Sequence, residues 1–428
     1  MNPFQTFCER YLSHFNYDGT TQRLFGIEKE ILIADQEGKM ANLKETMWPF
    51  LMKEGFETHN DRFYKDEVIG FYTTDGEITT DVGKGTLEVI LDPLLTIQEC
   101  EKHMDTILKR LLVIAEKENL SILGLGYQPI TPKAVENWSR KQRHEVFIKR
   151  FGPSIYSVTL SSADQVHVDV SIDEIMPVTN VMTGLAGFIM VLFSNSPLCE
   201  GKANPIQVYR EMVWDKLGKE RTGVPEKPWS LVEDYLEKMW DIEIVIAKEV
   251  GSEGRYFAPK TSFREHVKGF SDDEIFDAFC IHEGTIWFCA RPRIFGTVEI
   301  RPACSQPWMD RMTLPAFGMG LVENWKEAEI FLNQFEWSEL RKLRTRASQE
   351  GFKMELHGKP IASFIKELLD IAKRGLTSRG HGEESYLDAL YQRAEDQKSP
   401  SDVALEYFHK GGVPLLIEKT SLKIEDLT

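Results

Sequence analysis

Four short stretches of this chain alternate apolar residues with carboxylates, histidine or arginine, and they constrain its fold more than any other feature. They are Phe25-Gly-Ile-Glu-Lys-Glu-Ile31, Thr86-Leu-Glu-Val-Ile90, Gln165-Val-His-Val-Asp-Val170 and Thr297-Val-Glu-Ile-Arg301. Successive side chains on a strand point to opposite faces. Glu28 and Glu30 therefore share a face, and Ile27 and Ile31 point the other way. By the same rule Glu88 lies opposite Leu87 and Val89, Gln165 and His167 opposite Val166 and Val168, and Glu299 with Arg301 opposite Val298 and Ile300. An antiparallel sheet with one face on the core and one face open accounts for the alternation. It does not account for the carboxylates. Like charges side by side on a sheet repel, so a sheet lined this way calls for cations, and hard oxygen donors suit Mg²⁺ or Mn²⁺.

On one strand Glu28 and Glu30 stand roughly 6–7 Å apart, a spacing that ligates two neighbouring ions or brackets one. Alone, such a pair is ordinarily solvated charge. Recurrence of the same chemistry at Glu88 and Glu299 turns it into a candidate metal set. Glu299 and Arg301 could make a local ion pair, or divide labour between a metal and a phosphoryl oxygen, as in phosphoryl transfer. Arginine suits the second role because its fork matches phosphate geometry. His167 reads either as a satisfied structural histidine or as a donor to a phosphate or carboxylate. The run Arg140-Lys-Gln-Arg-His144, with Lys149 and Arg150, reads as a solvated helix face or as a neutralising patch for an anionic substrate. Gly83-Lys-Gly85 reads as a tight turn, since no P-loop pattern is present, and Gly124-Leu-Gly126 lacks the third glycine of a dinucleotide fingerprint.

A formal charge of −16, from 51 basic and 67 acidic residues, argues against nucleic acid as a partner. No run of about 18 apolar residues suggests a membrane span, and the N-terminal residues lack a signal-peptide core. Six scattered cysteines without a CxxC pair read as reduced. A cytoplasmic location is the expectation. Helical periodicity is read over Thr96–Asn119, Thr179–Leu192, Ser230–Glu249, Leu321–Ala347, Ile361–Arg374 and Glu383–Ala394. Ser121–Gln128 reads as a buried strand, and Glu211–Pro228 as a polar loop. Strands and helices mix without strict βαβ alternation, which favours α+β. The expected organisation is a catalytic domain over residues 1–320, with a helical portion over 321–428 packed on the same domain.

These pieces, in this order, resemble the glutamate–cysteine ligase family, in particular its plant-type and ergothioneine-pathway branch. Gly26-Ile-Glu-Lys-Glu30 is similar to that family's opening G-x-E-x-E strand. Gly83-Lys-Gly-Thr-Leu-Glu88 followed by Asp92-Pro-Leu94 resembles its glycine turn, Glu strand and Pro-Leu exit. Ser121-Ile-Leu-Gly-Leu-Gly-Tyr-Gln-Pro129 is similar to its G-x-G-[FY]-Q-P strand, and Phe193-Ser-Asn-Ser-Pro-Leu-Cys-Glu-Gly-Lys-Ala-Asn204 to its N-S-P-x-x-E-G-K-x-N string. Tyr209-Arg210, Trp214, Arg221-Thr-Gly223 and Thr297-Val-Glu-Ile-Arg301 continue the likeness.

The resemblance implies a glutamine-synthetase-like curved antiparallel sheet with flanking helices, binding ATP and Mg²⁺, with Mn²⁺ as a substitute. It implies Glu28, Glu30, Glu88 and Glu299 as metal ligands and Arg301 as stabiliser of the transferring phosphoryl group. It also implies Gln165 and His167 beside the nucleotide, His167 with a catalytic part, and Arg210 and Arg221 on the amino-acid substrate. Two departures stand out. The family's E-L-S-G-A-P reads Glu88-Val-Ile-Leu-Asp-Pro93, and the aspartate-rich stretch before R-T-G is reduced to Trp214-Asp-Lys-Leu-Gly-Lys-Glu-Arg221. The expected reaction joins glutamate to cysteine through an acyl phosphate. A different acid or amine is the first alternative and a metal-dependent phosphohydrolase the second. The expected partners are small amino acids and ATP, with the chain a monomer or homodimer.

Overall fold

The computed structural model describes residues 3–251 and 254–427. The four alternating stretches become neighbouring strands of one antiparallel sheet. Its strands are β1 (Phe25–Ala34), β2 (Glu57–Asn60), β3 (Val68–Thr73), β4 (Gly76–Thr80), β5 (Thr86–Leu91), β6 (Ser121–Leu123), β7 (Ala163–Asp169), β8 (Ala290–Arg293) and β9 (Thr297–Cys304). The order is β8-β9-β7-β1-β5-β4-β3-β2, and β6 pairs with the far end of β1. The sheet is α+β in context, as the sequence pattern favours.

Register places the two faces as the alternation requires. Phe25, Ile27 and Lys29 of β1 oppose Val168, Val166 and Asp164 of β7. This face carries Val298 and Ile300 of β9 and Leu87 and Val89 of β5, all fully buried. The helix Ile97–Glu118 packs against it. Its start is set by a capping box between Thr96 and Glu99, and its end by Asn119 in the left-handed region. The helices Thr313–Glu323 and Ile361–Arg379 also join this core. They cross so closely that a Cβ on Gly375 would fall 1.9 Å from the Gly320 carbonyl oxygen. Only glycine permits that approach.

Lys29 is the one charged residue of β1 on the apolar face. Its Nζ lies 2.8 Å from Asp164, which also accepts from the Gln306 backbone N–H. Burying this pair costs desolvation, which Lys29 offsets only in part, since burial still raises the Asp164 carboxyl.

Several local expectations change. The stretch Ser121–Gln128 forms a ladder with β1 only as far as Leu123. Beyond it, Gly124 lies close against Gln306–Trp308, and Gly126 lies against Cys304 so tightly that a Cβ would fall 2.5 Å from the Cys304 Cβ. The helix begun at Val232 stops at Asp241, because Ile242, Ile244, Val245 and Ile246 are β-branched and favour extended backbone. The expected loop from Glu211 begins inside a helix, Tyr209–Trp214. The helical stretch near Thr179 is two helices, Ile175–Gly184 and Ala186–Leu192, bent by 51°. Among the described residues no single helix is long and apolar enough to cross a membrane.

Residue 321 falls inside the helix Thr313–Glu323, so the helical stretch begins before that position. The last long helix, Pro400–Thr420, is broken at Gly411 and Gly412. Its Ala404, Leu416 and Ile417 cover Leu32 and Ala34 of β1. These two residues share the face of Glu28 and Glu30, so this helix closes one end of the polar face.

Candidate functional site

The polar face brings together side chains far apart in sequence. Glu30 stands directly across from Glu88, Glu28 across from Gln165, and Glu299 across from His167. The hairpin turn between β4 and β5 adds Asp81. Two groups of three result, Glu28–His167–Glu299 and Glu30–Asp81–Glu88, each with ligand atoms within 4.8 Å of one another. Gln165 joins them: its Nε2 donates to Glu30 at 3.0 Å, and its Oε1 accepts from Arg301. The face is not open as a solvated sheet face would be. Glu299 has no exposure, Glu30 has 4% and Arg301 has 8%.

Electrostatics separate the groups. Glu299 is ringed by guanidinium groups. Arg291 Nε lies 2.6 Å from it and Arg293 Nη1 2.7 Å, and Arg301 closes the ring. Burial alone would raise its carboxyl, but Arg291, Arg301 and Arg293 hold it well below the usual range. Glu28 behaves alike on a smaller scale. Burial pushes it up, and His167, 3.0 Å away, brings it below normal.

In the second group the balance reverses. Burial pushes Glu30 well above the carboxylate range, with repulsion from Asp81 adding to it. Burial and repulsion from Glu28, Asp81 and Glu30 do the same to Glu88. Asp81 is raised chiefly by burial. Lys141, at the start of the helix Gln142–Phe151, faces Glu88 and Asp81 and donates to the Thr80 carbonyl. Arg143, from the same basic run, also acts on Asp81. Arg140 pairs with Glu67, Arg150 with Glu243, and His144 is buried against Ser139. The Glu30 Oε2 atom is buried without a hydrogen-bond partner.

These observations test whether divalent cations fit. A hard-oxygen set with one imidazole, an orphaned carboxylate oxygen and three mutually repelling carboxylates match the donor chemistry of Mg²⁺ or Mn²⁺. The residues present fit such ions.

Arg210 and Arg221 separate. Arg210 is 1% exposed, its Nη1 donates to Glu211 and to the Arg301 carbonyl at 2.8 Å each, and its Nε has no partner. It lies near enough to Glu30 to favour that carboxylate's charged form. Arg221 is not brought to the carboxylates. Its guanidinium donates to the Glu243 carbonyl at 2.6 Å, to the Thr285 carbonyl at 3.4 Å and to Glu220 at 3.1 Å. Those contacts pin its loop to the segment before β8.

Sequence reasoning missed Asp81, Arg291 and Arg293. Extending the ladder upstream of the Gly83–Gly85 turn would have placed Asp81 beside the Glu88 strand. The alternation Arg291-Pro-Arg293, one turn before Thr297, could have marked β8. The support behind Arg210 is also new. Arg344, on the helix Trp337–Glu350, donates to Glu211 at 3.1 Å and to Asp215 at 2.9 Å. A helix late in the chain thereby steadies the segment that carries Arg210.

Known proteins share this arrangement of sequence and fold. The profile of Glutamate-cysteine ligase family 2 (GCS2) matches residues 24–419. The chain is 25% identical to the chloroplastic glutamate–cysteine ligase of Brassica juncea over 412 residues, 91% of this chain and 77% of the relative. To the Medicago truncatula enzyme it is 25% identical over 365 residues, 80% of this chain and 70% of the relative. Among solved structures, a glutamate–cysteine ligase from Francisella tularensis in complex with AMP superposes with a TM-score of 0.58 at 13% identity, covering 94% of this chain and 89% of that one. A bifunctional glutathione synthetase from Pasteurella multocida gives 0.52 at 14% identity, covering 97% of this chain and 52% of that one. At such identities the structures bear on fold alone.

Proposed function

The chain belongs to Glutamate-cysteine ligase family 2 and is a carboxylate–amine ligase, and from that premise we propose that it uses ATP and Mg²⁺ to join glutamate to cysteine as γ-glutamylcysteine. The observation that carries this reading is the convergence of Glu28, Glu30, Asp81, Glu88, His167 and Glu299 on one sheet face beside Arg301. Glu28, His167 and Glu299 would hold one Mg²⁺ and Glu30, Asp81 and Glu88 another. Bound there, the ions offset the negative charge of the ATP phosphates and of the carboxylate that meets them.

The chain's own residues supply the rest. Arg301, held by Glu299 and Gln165, presents a fixed guanidinium to the phosphoryl group as it moves from ATP to the substrate carboxylate. Arg291 and Arg293 add positive charge on the same face, where a polyphosphate needs it. Arg210, with its free Nε, is suited to a substrate carboxylate beside Glu30. Transfer of the γ-phosphoryl group to the glutamate γ-carboxylate yields an acyl phosphate and ADP. The cysteine nitrogen then attacks the acyl carbon, phosphate departs, and the nitrogen loses its extra proton. No covalent protein nucleophile is required. Burial keeps water from the acyl phosphate.

The departures at Asp92-Pro93 and before Arg221 favour testing other acids and amines as the second reading. The test is ADP release across a matrix of amino acids, with mass spectrometry of the product. Dependence on glutamate plus cysteine and a γ-glutamylcysteine mass is expected. Turnover with a different pair selects the alternative substrate, and phosphate release without any amine selects a phosphohydrolase.

A further inference from the structure

Glu283 is 1% exposed and ends the helix Asp272–Glu283. The last turn of a helix carries partial negative charge and favours cations, so both burial and the helix disfavour a carboxylate there. Two donors hold it. The hydroxyl of Tyr11, on the buried side of the helix Pro3–Leu12, donates to its Oε1 at 3.2 Å, and Arg293 Nε donates to its Oε2 at 3.1 Å. Phe7 and Tyr11 pack edge-on against Phe279 of the Glu283 helix, which keeps that hydroxyl in place. Burial raises the Glu283 carboxyl, and Arg293 and Arg291 draw it back. Both oxygens accept hydrogens, so these contacts select the carboxylate form.

Glu283 also fixes both arginines that approach Glu299 from β8. Arg293 spans two carboxylates, with Nε on Glu283 and Nη1 on Glu299 at 2.7 Å. Arg291 Nη1 donates to the Glu283 backbone carbonyl at 2.7 Å and to the Ile286 carbonyl, while its Nε donates to Glu299 at 2.6 Å. The end of a helix leaves carbonyls without intrahelical partners, and Arg291 uses the one on Glu283. Glu283 lies outside the group Glu28–His167–Glu299 and reaches it through these guanidinium groups.

The local charges do not balance without it. Glu28 and Glu299 face Arg291, Arg293 and Arg301, three positive charges against two negative ones. A divalent cation approaching that group would meet net repulsion. Glu283 supplies the third negative charge, and Arg293 feels it together with those of Glu299 and Glu28. Resting on the paired-cation reading above, we infer that Glu283 is a positioning residue that keeps the Glu28–His167–Glu299 group receptive to Mg²⁺, by neutralising and holding Arg293. Tyr11 orients the carboxylate for that task, which ties the first helix of the chain to the site.

Mn²⁺ affinity without nucleotide, read by electron paramagnetic resonance, provides the test in two backgrounds. Glu88→Gln leaves the Glu28–His167–Glu299 group intact, and Glu28→Gln leaves the other. Adding Glu283→Gln, which keeps size and an acceptor oxygen, should weaken binding roughly 10–100-fold in the first background and leave it unchanged in the second. Adding Arg293→Gln as well removes the surplus charge and should restore most of the loss. Tyr11→Phe, which removes a hydrogen bond but no charge, should have a smaller effect than Glu283→Gln. Unchanged affinity in the first background, or an equal loss in both, would overturn the assignment and make Glu283 a structural anchor. The double variant strands no arginine, so it decides the matter should the single one fail to fold: weakened binding there overturns the charge account. These results leave the ligase reading standing, whereas a wild-type chain that binds no Mn²⁺ removes the paired-cation reading and this inference together.

Discussion

The two acidic groups lie on the same face of the same sheet, built from adjacent strands, yet their surroundings are opposite. Around Glu299, three arginines and His167 compensate the charge before any ligand arrives. Around Glu30, Asp81 and Glu88, burial and mutual repulsion dominate, and Lys141 is the nearest lysine to answer them. The first group is therefore held in place by the folded chain itself. The second stores unfavourable electrostatics that a bound cation relieves. One sheet can thus combine a rigid half, which orients Arg301, with a half that gains most from metal.

The sharpest way to break this comparison is a pair of substitutions. Glu299→Gln and Glu88→Gln should each lower turnover by about 10³-fold or more, judged from the loss of a single charge-stabilising group elsewhere. Their effects on metal-free stability should have opposite signs. Glu299→Gln strands three buried guanidinium groups and should cost about 3–5 kcal/mol, whereas Glu88→Gln removes a repelling charge and should raise Tm. Thermal unfolding in a chelator reads both. Equal signs would end the distinction.

Next in size is Arg301→Lys, expected to lower kcat by roughly 10–100-fold with little change in KM, because a point charge lacks the fixed fork. Steady-state kinetics decide it, and a change confined to KM would move Arg301 to ground-state binding. Comparable in size is the response to Mg²⁺, which should raise Tm, corresponding to about 2.7 kcal/mol at one hundred times its Kd. Glu88→Gln should lose most of that gain in calorimetry.

The smallest effect is a slope with pH. Glu30, Asp81 and Glu88 have folded pKa values above their unfolded ones, so the folded state binds more protons between those values. Metal-free stability should therefore be highest below the unfolded carboxylate range and decline as pH rises through the raised values. Denaturant titrations at several pH values should show that decline shrinking in Glu88→Gln. Glu299, held low, should contribute the reverse dependence at acid pH.

What could be read from the sequence follows the same physical divide. The four strands and their polar faces were legible because period-two alternation is local. The helix Ile97–Glu118 was legible because Met104, Ile107, Leu108, Leu111, Leu112 and Ala115 recur at helical spacing. Asp81, Arg291 and Arg293 carried a local signal for their strands but not for their role, which depends on which strands become neighbours and on the exact register. Arg221 shows the converse: a motif residue whose guanidinium the fold spends on backbone carbonyls. The burial of the polar face was also illegible, because the segments that cover it come from residues far along the chain, Leu416 and Ile417 among them.

Counting bound Mn²⁺ by electron paramagnetic resonance, with a non-hydrolysable ATP analogue present, tests the paired-cation reading most directly. Two ions per chain are predicted, with Glu88→Gln retaining one and Glu28→Gln retaining the other. A wild-type chain that binds none, or a count that neither substitution changes, would contradict it.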